Sequence, residues 1–166
     1  MPGAESFHLV KPDASQITYR KEPFTTALAE EMMPLLQEHY LEIAHYQDIA
    51  LDPDWDVYLK MQAVGALAVF TARDNDNHAL LGYSAFFVRH NPHYRRSLQA
   101  QNDVIFIRKN SRGFGRDFIA WCDEQLRAEG VQVVYHHVKA AHDWTPMLTR
   151  MGYDFQDKIM SRRLDL

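Results

Sequence analysis

The sequence predicts an α/β (α+β) domain, with a mixed, mostly antiparallel sheet, helices on both faces and one parallel strand pair. Three observations carry this. Short segments of alternating polar and apolar residues interleave with longer ones whose apolar residues recur every three or four positions. Two apolar runs, 66–72 and 80–89, are separated only by Arg73-Asp74-Asn75-Asp76-Asn77-His78, a polar linker suited to an antiparallel hairpin. Further on, a strand, two glycines one residue apart, a helix and another strand follow in order. That unit calls for parallel strands joined by a right-handed crossover.

Taken in order, residues 16–20 (Gln-Ile-Thr-Tyr-Arg) alternate as a first strand. From Pro23 to Tyr46 the apolar positions Phe24, Ala27, Leu28, Met32, Leu35, Leu36, Tyr40 and Ile43 have helical spacing, and Pro34 makes this either a kinked helix or two abutting ones. Leu51-Asp52-Pro53-Asp54 starts a second helix, with Asp54 as cap and Gly65 as stop. After the hairpin, residues 90–100 read as a polar, aromatic loop and residues 103–107 as a short strand. A helix over 113–129 ends at Gly130. Residues 131–138 form the next strand, 144–151 a short helix closed by Gly152, and 153–164 a last alternating strand. Residues 1–15 read as a flexible arm, with Pro2 and Gly3 but no apolar core of a signal peptide, and 16–166 as one domain.

With 166 residues, 46% hydrophobic and 12% aromatic, the chain suits one ordinary core. A formal charge of -4 argues against a nucleic-acid partner, which favours a basic excess. No run of 18 apolar residues occurs, so no membrane span is expected. The single cysteine, Cys122, excludes an intrachain disulfide and sits among Phe118, Ile119 and Leu126 as a small buried filler.

The informative segment runs from Asp103 to Ile119. Glycines at 113 and 115 let backbone N–H groups converge, and the helix start adds partial positive charge. Arg108, Lys109, Arg112 and Arg116 concentrate four cations there. An anion such as pyrophosphate is the natural ligand; a plain tight turn is the alternative. A dinucleotide fingerprint would need a third glycine where Phe118 stands, and the Gly-Lys-Ser/Thr of a P-loop is absent.

Asn110-Ser111-Arg112-Gly113-Phe114-Gly115 resembles the acetyl-CoA-binding motif Q/R-x-x-G-x-G/A of the GNAT acetyltransferases, with Asn110 in place of the usual Gln or Arg. The element order is similar too, including the short C-terminal helix before Gly152-Tyr153. The segments 38–42 (EHYLE), 51–55 (LDPDW), 83–94 (YSAFFVRHNPHY) and 136–139 (HHVK) also resemble GNAT-like proteins encoded by bacteriophages. The resemblance implies acetyl-CoA in a cleft between the fourth and fifth strands. Backbone groups of Ile105 and Ile107, with Phe106 between them, would meet its pantetheine arm. Arg108, Lys109, Asn110 and the turn from Ser111 to Arg116 would hold its pyrophosphate. It implies N-acetyl transfer to a small-molecule or protein amine, or, as the alternative, a catalytically weak or inactive GNAT-fold protein with a binding or structural role. A cytoplasmic location, a homodimer and, for a phage protein, a virion or viral assembly partner are further expectations.

The chain departs from the family at the proton donor. Four residues before Gly152, where many GNATs have tyrosine, stands Leu148. His142 and Tyr153 are nearby substitutes. For a base, Asp103 shares the alternation of Ile105 and Ile107, and His137 is a second candidate; His136 and His137 point to opposite faces of a strand, so at most one faces the cleft. His39, between Glu38 and Glu42, could line the acceptor side or simply end a helix. Trp55, Tyr58 and Met61 read as core or cleft wall, and residues 90–96 as a loop shaping an acceptor site or a partner contact. The nine histidines show no ligand spacing of a metal site, so none is expected.

Overall fold

A computed structural model describes residues 16–165. The expected N-terminal arm, residues 1–15, lies outside the described residues. Five strands, β1 (Ile17–Glu22), β2 (Leu67–Asp74), β3 (Leu80–His90), β4 (Leu98–Ile107) and β5 (Val133–Tyr135), form one sheet in chain order. Pairings are antiparallel except β4–β5, which is parallel. The crossover between those two is α3 (Gly115–Ala128).

Each sheet face has its own core. Helices α1 (Thr26–Ile43) and α2 (Trp55–Ala63) cover one, where Leu28, Met32 and Leu35 pack on Val69, Tyr83 and Phe106. α3 covers the other, where Phe118, Cys122 and Leu126 pack on Phe70, Phe86 and Ala100. Cys122 is 1% exposed, as its apolar setting implied. Thr25 caps α1 by accepting from the Leu28 N–H, and Asp54 caps α2 by accepting from Val57 N–H. α1 is one continuous helix rather than two abutting ones, and Pro34 lies on its exposed face, where water can serve the freed carbonyl of Glu30.

Four expectations need correction. Arg73, read as hairpin linker, belongs to β2 and is 8% exposed, held by Glu22 and Glu31. Residues 98–100, read as loop, begin β4, because β3 continues to His90 and pairs with Leu98. The fifth strand is three residues long rather than eight, since β4 turns away after Gln101 and leaves it unpaired. The last strand, 153–164, is absent among the described residues. Phe155, Ile159, Met160 and Leu164 are exposed, and side chains fasten the segment instead: Arg163 to Asp48, and Ser161 to Tyr46. The short helix before it is α4 (Thr145–Arg150), followed by Gly152 at a φ of 94°.

Candidate active site

The site begins with one extra residue in β4. Ala85 pairs with Val104 and Phe86 with Asn102, so Asp103 is bulged out of the ladder. The buried Asn102 amide takes up the acceptors the bulge disturbs: Ser84 Oγ at 2.9 Å, and the Ala85 and Val104 carbonyls at 3.2 Å each. Parallel pairing to β5 has stopped by then, at Gln101 and Tyr135. Beyond it, β4 from Asp103 to Ile107 pairs with no strand but β3 among the described residues, and its other edge opens into a splay, where the Ile107 carbonyl accepts from Arg112 Nε at 3.4 Å.

The bulge also changes where Asp103 points. Strict alternation would set it on the face of Ile105 and Ile107. Instead its carboxylate accepts from the Tyr58 hydroxyl of α2 at 2.5 Å, on the face opposite Ile107. Tyr58 also packs on Phe24 and Phe87, which fixes its ring. Burial, then the bond to Asp103, raises the Tyr58 pKa. Beneath them lies Tyr83, fully buried, whose hydroxyl has no partner among the described residues. Its pKa is raised by burial and then by Tyr58 and Asp103.

At the other end of the splay, Lys109–Ser111 form a single 3-10 turn and Gly113 adopts a φ of 142°, which a side chain would resist. α3 starts at Gly115, two residues later than its sequence suggests, and no side chain caps it. Its first N–H groups therefore face outward unsatisfied by the helix itself. A Cβ on Gly115 would sit 3.3 Å from Ile107 Cδ1. Phe106 and Phe114 are core residues, 5% and 2% exposed, so only their backbone borders the splay. Ile105 and Ile107 are half-buried, Ser111 is buried and Asn110 is exposed.

The arginines of the turn are engaged. Arg108 donates to Glu38 at 2.7 Å and Arg112 to both Glu42 oxygens at 2.6 and 2.5 Å. Acids four apart on α1 thus meet bases four apart on the turn. Burial disfavours the Glu42 carboxylate, but Arg112 outweighs it and holds the pKa below the usual range. Lys109 and Arg116 form no ion pair among the described residues. His142, in the 3-10 turn Ala140–His142, has Nδ1 3.5 Å from Glu42. His39 stacks on Phe106 with ring centroids 4.9 Å apart. Its pKa falls to about 4, through burial first and against the pull of Glu42.

The candidate groups are therefore divided. Asp103 lies with Tyr58 at the bulge, His142 with Glu42 and Arg112 at the turn, and His137 is exposed beyond β5. Leu148, at the expected donor position, is 6% exposed in α4. The Tyr153 hydroxyl donates to Asp123 at 2.7 Å, and burial with that carboxylate raises its pKa. Tyr58 and Glu42 are the partners that sequence reasoning missed. The matched spacing of Glu38/Glu42 and Arg108/Arg112 was a usable signal; the Tyr58 contact, 45 residues away, left none. A concavity of about 320 Å³ against β1 and β2, lined by Lys21, Gln62 and Glu129, contains none of these groups. Among the described residues no cluster of three His, Cys, Asp or Glu could hold a metal ion, and no helix is long and apolar enough to cross a membrane.

A sheet splayed at a bulge ahead of a G-x-G turn, crossed over by the following helix, is the fold of the GNAT acetyltransferases, and solved members superpose on most of the chain. An aminoglycoside acetyltransferase from an uncultured soil metagenomic sample, in complex with sisomicin, matches with a TM-score of 0.68 at 13% identity, over 92% of this chain and 97% of its own. A predicted acetyltransferase from Clostridium acetobutylicum with acetyl-CoA gives 0.67 at 13% identity, over 89% and 96%. Glucosamine-6-phosphate N-acetyltransferase from Arabidopsis thaliana gives 0.66 at 10% identity, over 89% and 99%. No protein-family model matches the sequence, and no curated protein matches it significantly.

Proposed function

We propose that this protein is an acetyl-CoA-dependent N-acetyltransferase. The observation that carries the reading is the coincidence, within fifteen residues, of the β4 bulge, the open β4 edge and the uncapped, side-chain-free turn at Gly113 and Gly115. That surface suits a long polar chain ending in a pyrophosphate. The open edge offers backbone groups to amides, and the turn offers converging N–H groups and the cations Lys109 and Arg116. Acetyl-CoA, when bound, supplies an activated acyl group.

The chain's own residues would then position an amine and manage its protons. Asp103 lies at the bulge, where the amine would approach, and Tyr58 holds its carboxylate. An ammonium loses one proton before attack. As the N–C bond forms and the C–S bond breaks, the bonding pair leaves with sulfur. The nitrogen then loses a second proton, matched by the one sulfur takes up. Asp103 suits the first transfer; for the last, the position where many GNATs have tyrosine holds Leu148.

That gap favours a second reading, a GNAT-fold protein that binds without catalysing. Leu148 is core, and Tyr153 is committed to Asp123. Calorimetric titration with acetyl-CoA and CoA, followed by thiol release with an amine panel, separates the readings. Binding with amine-dependent release supports the transferase and excludes the second reading, binding without release supports an inactive protein, and binding of neither ligand removes the transferase and favours a purely structural role. Gly115→Val is the cleaner probe of the cradle, because Gly113 would be strained by any side chain. Unchanged CoA affinity in that variant would exclude the turn as the pyrophosphate site.

A further inference from the structure

The chain has a net charge of -4, yet residues 85–102 contain no Asp or Glu, and they carry Arg89, Arg95, Arg96, His90 and His93. This basic stretch is the far half of β3, its loop and the start of β4, leading directly to the bulge at Asp103. All three arginines are exposed, and none forms an ion pair among the described residues.

Arg89 occupies a defined place. On β3, Tyr83, Ala85 and Phe87 face α1 and α2, and Arg89 continues that row. In register it lies opposite Gln99, and Phe87 opposite Gln101; Tyr135 of β5 pairs with Gln101 on the other side. Phe87, Arg89, Asn91, Gln99, Gln101 and Tyr135 line a concavity of about 40 Å³. Gln99 is spent on Asn91 and Ser97, at 2.8 and 3.1 Å. The Arg89 guanidinium, Gln101 amide and Tyr135 hydroxyl make no side-chain hydrogen bond among the described residues. The volume is on the order of one water's share of the liquid, ~30 Å³, so the concavity seats a head group rather than a ring. A planar guanidinium beside an amide and a phenol is the donor set of a carboxylate or phosphate.

The other end of this face is Asp103. Gln99, opposite Arg89, precedes it by four residues, about 13 Å at the usual strand rise. One permanent cation and one carboxylate, with Gln101 between them, suit a molecule carrying both charges. We infer that the acceptor is an amine bearing a carboxylate or phosphate, its anion received by Arg89 and its nitrogen delivered to Asp103. This rests on the transferase reading. A polycationic amine would meet Asp103 with its first nitrogen but Arg89, Arg95 and Arg96 with the rest.

The test is calorimetric binding of matched amines to the wild-type protein saturated with CoA: glucosamine 6-phosphate against glucosamine, phosphoethanolamine against ethanolamine, and sisomicin as the polycation. The anionic member of at least one pair should bind ten-fold or more tightly than its plain partner, and Arg89→Gln should bring that ratio toward one. A phosphate preference that survives Arg89→Gln overturns the assignment, as does sisomicin or a plain amine binding best. Failure of CoA itself to bind would instead remove the transferase reading.

Discussion

The Tyr58 hydroxyl hydrogen-bonds the Asp103 carboxylate at 2.5 Å, joining α2 to the bulged residue of β4. A bulge is a place where a strand can re-aim a side chain, and here a second element fixes the new direction. Hydrogen bonds to charged groups contribute about 1.5–3 kcal/mol, so losing this one should disorder the carboxylate. Tyr58→Phe is expected to lower kcat about ten-fold, equivalent to roughly 1.4 kcal/mol. Asp103→Asn should lower kcat/KM by about 10² or more, the usual scale of general-base loss. Both should bind CoA within about two-fold of wild type. Full activity in Asp103→Asn would remove it as the base.

Arg112 and Glu42 form the second relationship with a consequence. A pyrophosphate at the turn must share Arg112 with a carboxylate that already holds it through both oxygens. Glu42→Gln removes that competitor and one negative charge. CoA affinity should rise several-fold at low salt, and the gain should shrink at about 0.5 M salt, where the Debye length drops to a few ångströms. Calorimetry at two salt concentrations reads this directly. Weaker binding in Glu42→Gln would mean that Glu42 positions Arg112 for the ligand rather than competing for it.

Stability depends on a different arginine. The Arg73 guanidinium, side chain 9% exposed, is held by Glu22 and Glu31, and the Thr71 hydroxyl completes Glu22. Burial opposes ionisation of Glu22, but Arg73 and Thr71 outweigh it and hold the pKa low. Arg73→Met leaves carboxylates facing each other without their cation. Water reaches both carboxylates, 24% and 40% exposed, so the cost is below that of a fully buried pair, about 1–3 kcal/mol, which lowers Tm by several degrees in a domain this size. Because the Glu22 pKa is depressed on folding, its contribution is present above the unfolded carboxylate pKa and is lost as pH falls through the folded one. Thermal melts of wild type and Arg73→Met should therefore converge in acid.

Periodicity and glycine placement made the sheet, the helices and the turn legible, because each is a local property of the chain. α1 shows what a proline leaves open: whether it divides a helix depends on whether the freed carbonyl faces water, which spacing alone does not reveal. Arg73 looked like linker because its charge suited a loop, whereas two distant carboxylates let it finish a strand. The bulge at Asp103 was invisible, since it is a mismatch between two strands rather than a feature of either. With it went the true face of Asp103 and its partner Tyr58. The last strand failed for the converse reason. Residues 153–164 alternate as a strand should, but a strand forms only where an edge pairs with it, and β5 is three residues long.

Two half-buried histidines give the fold a specific response to acid. His136 is enclosed by Phe86, Trp144 and Tyr153, and neither ring nitrogen has a partner among the described residues. Burial, with a smaller push from His137, lowers its pKa to about 4. His39 is lowered to about 4 as well, chiefly by burial. An unfolded histidine titrates near ~6.5, so between roughly pH 6.5 and 4 the unfolded chain binds more protons than the native one. Stability is therefore full above that window and falls as pH drops through it. His136→Phe keeps a ring among the aromatic neighbours and removes both nitrogens. It should leave Tm at pH 7.5 equal or higher, since an unsatisfied buried polar group costs about 1–3 kcal/mol. It should also shrink the fall in Tm between pH 7.5 and 5, with His39 supplying the remainder. An unchanged pH slope in His136→Phe would show that His136 stays neutral without cost and that the acid response arises elsewhere.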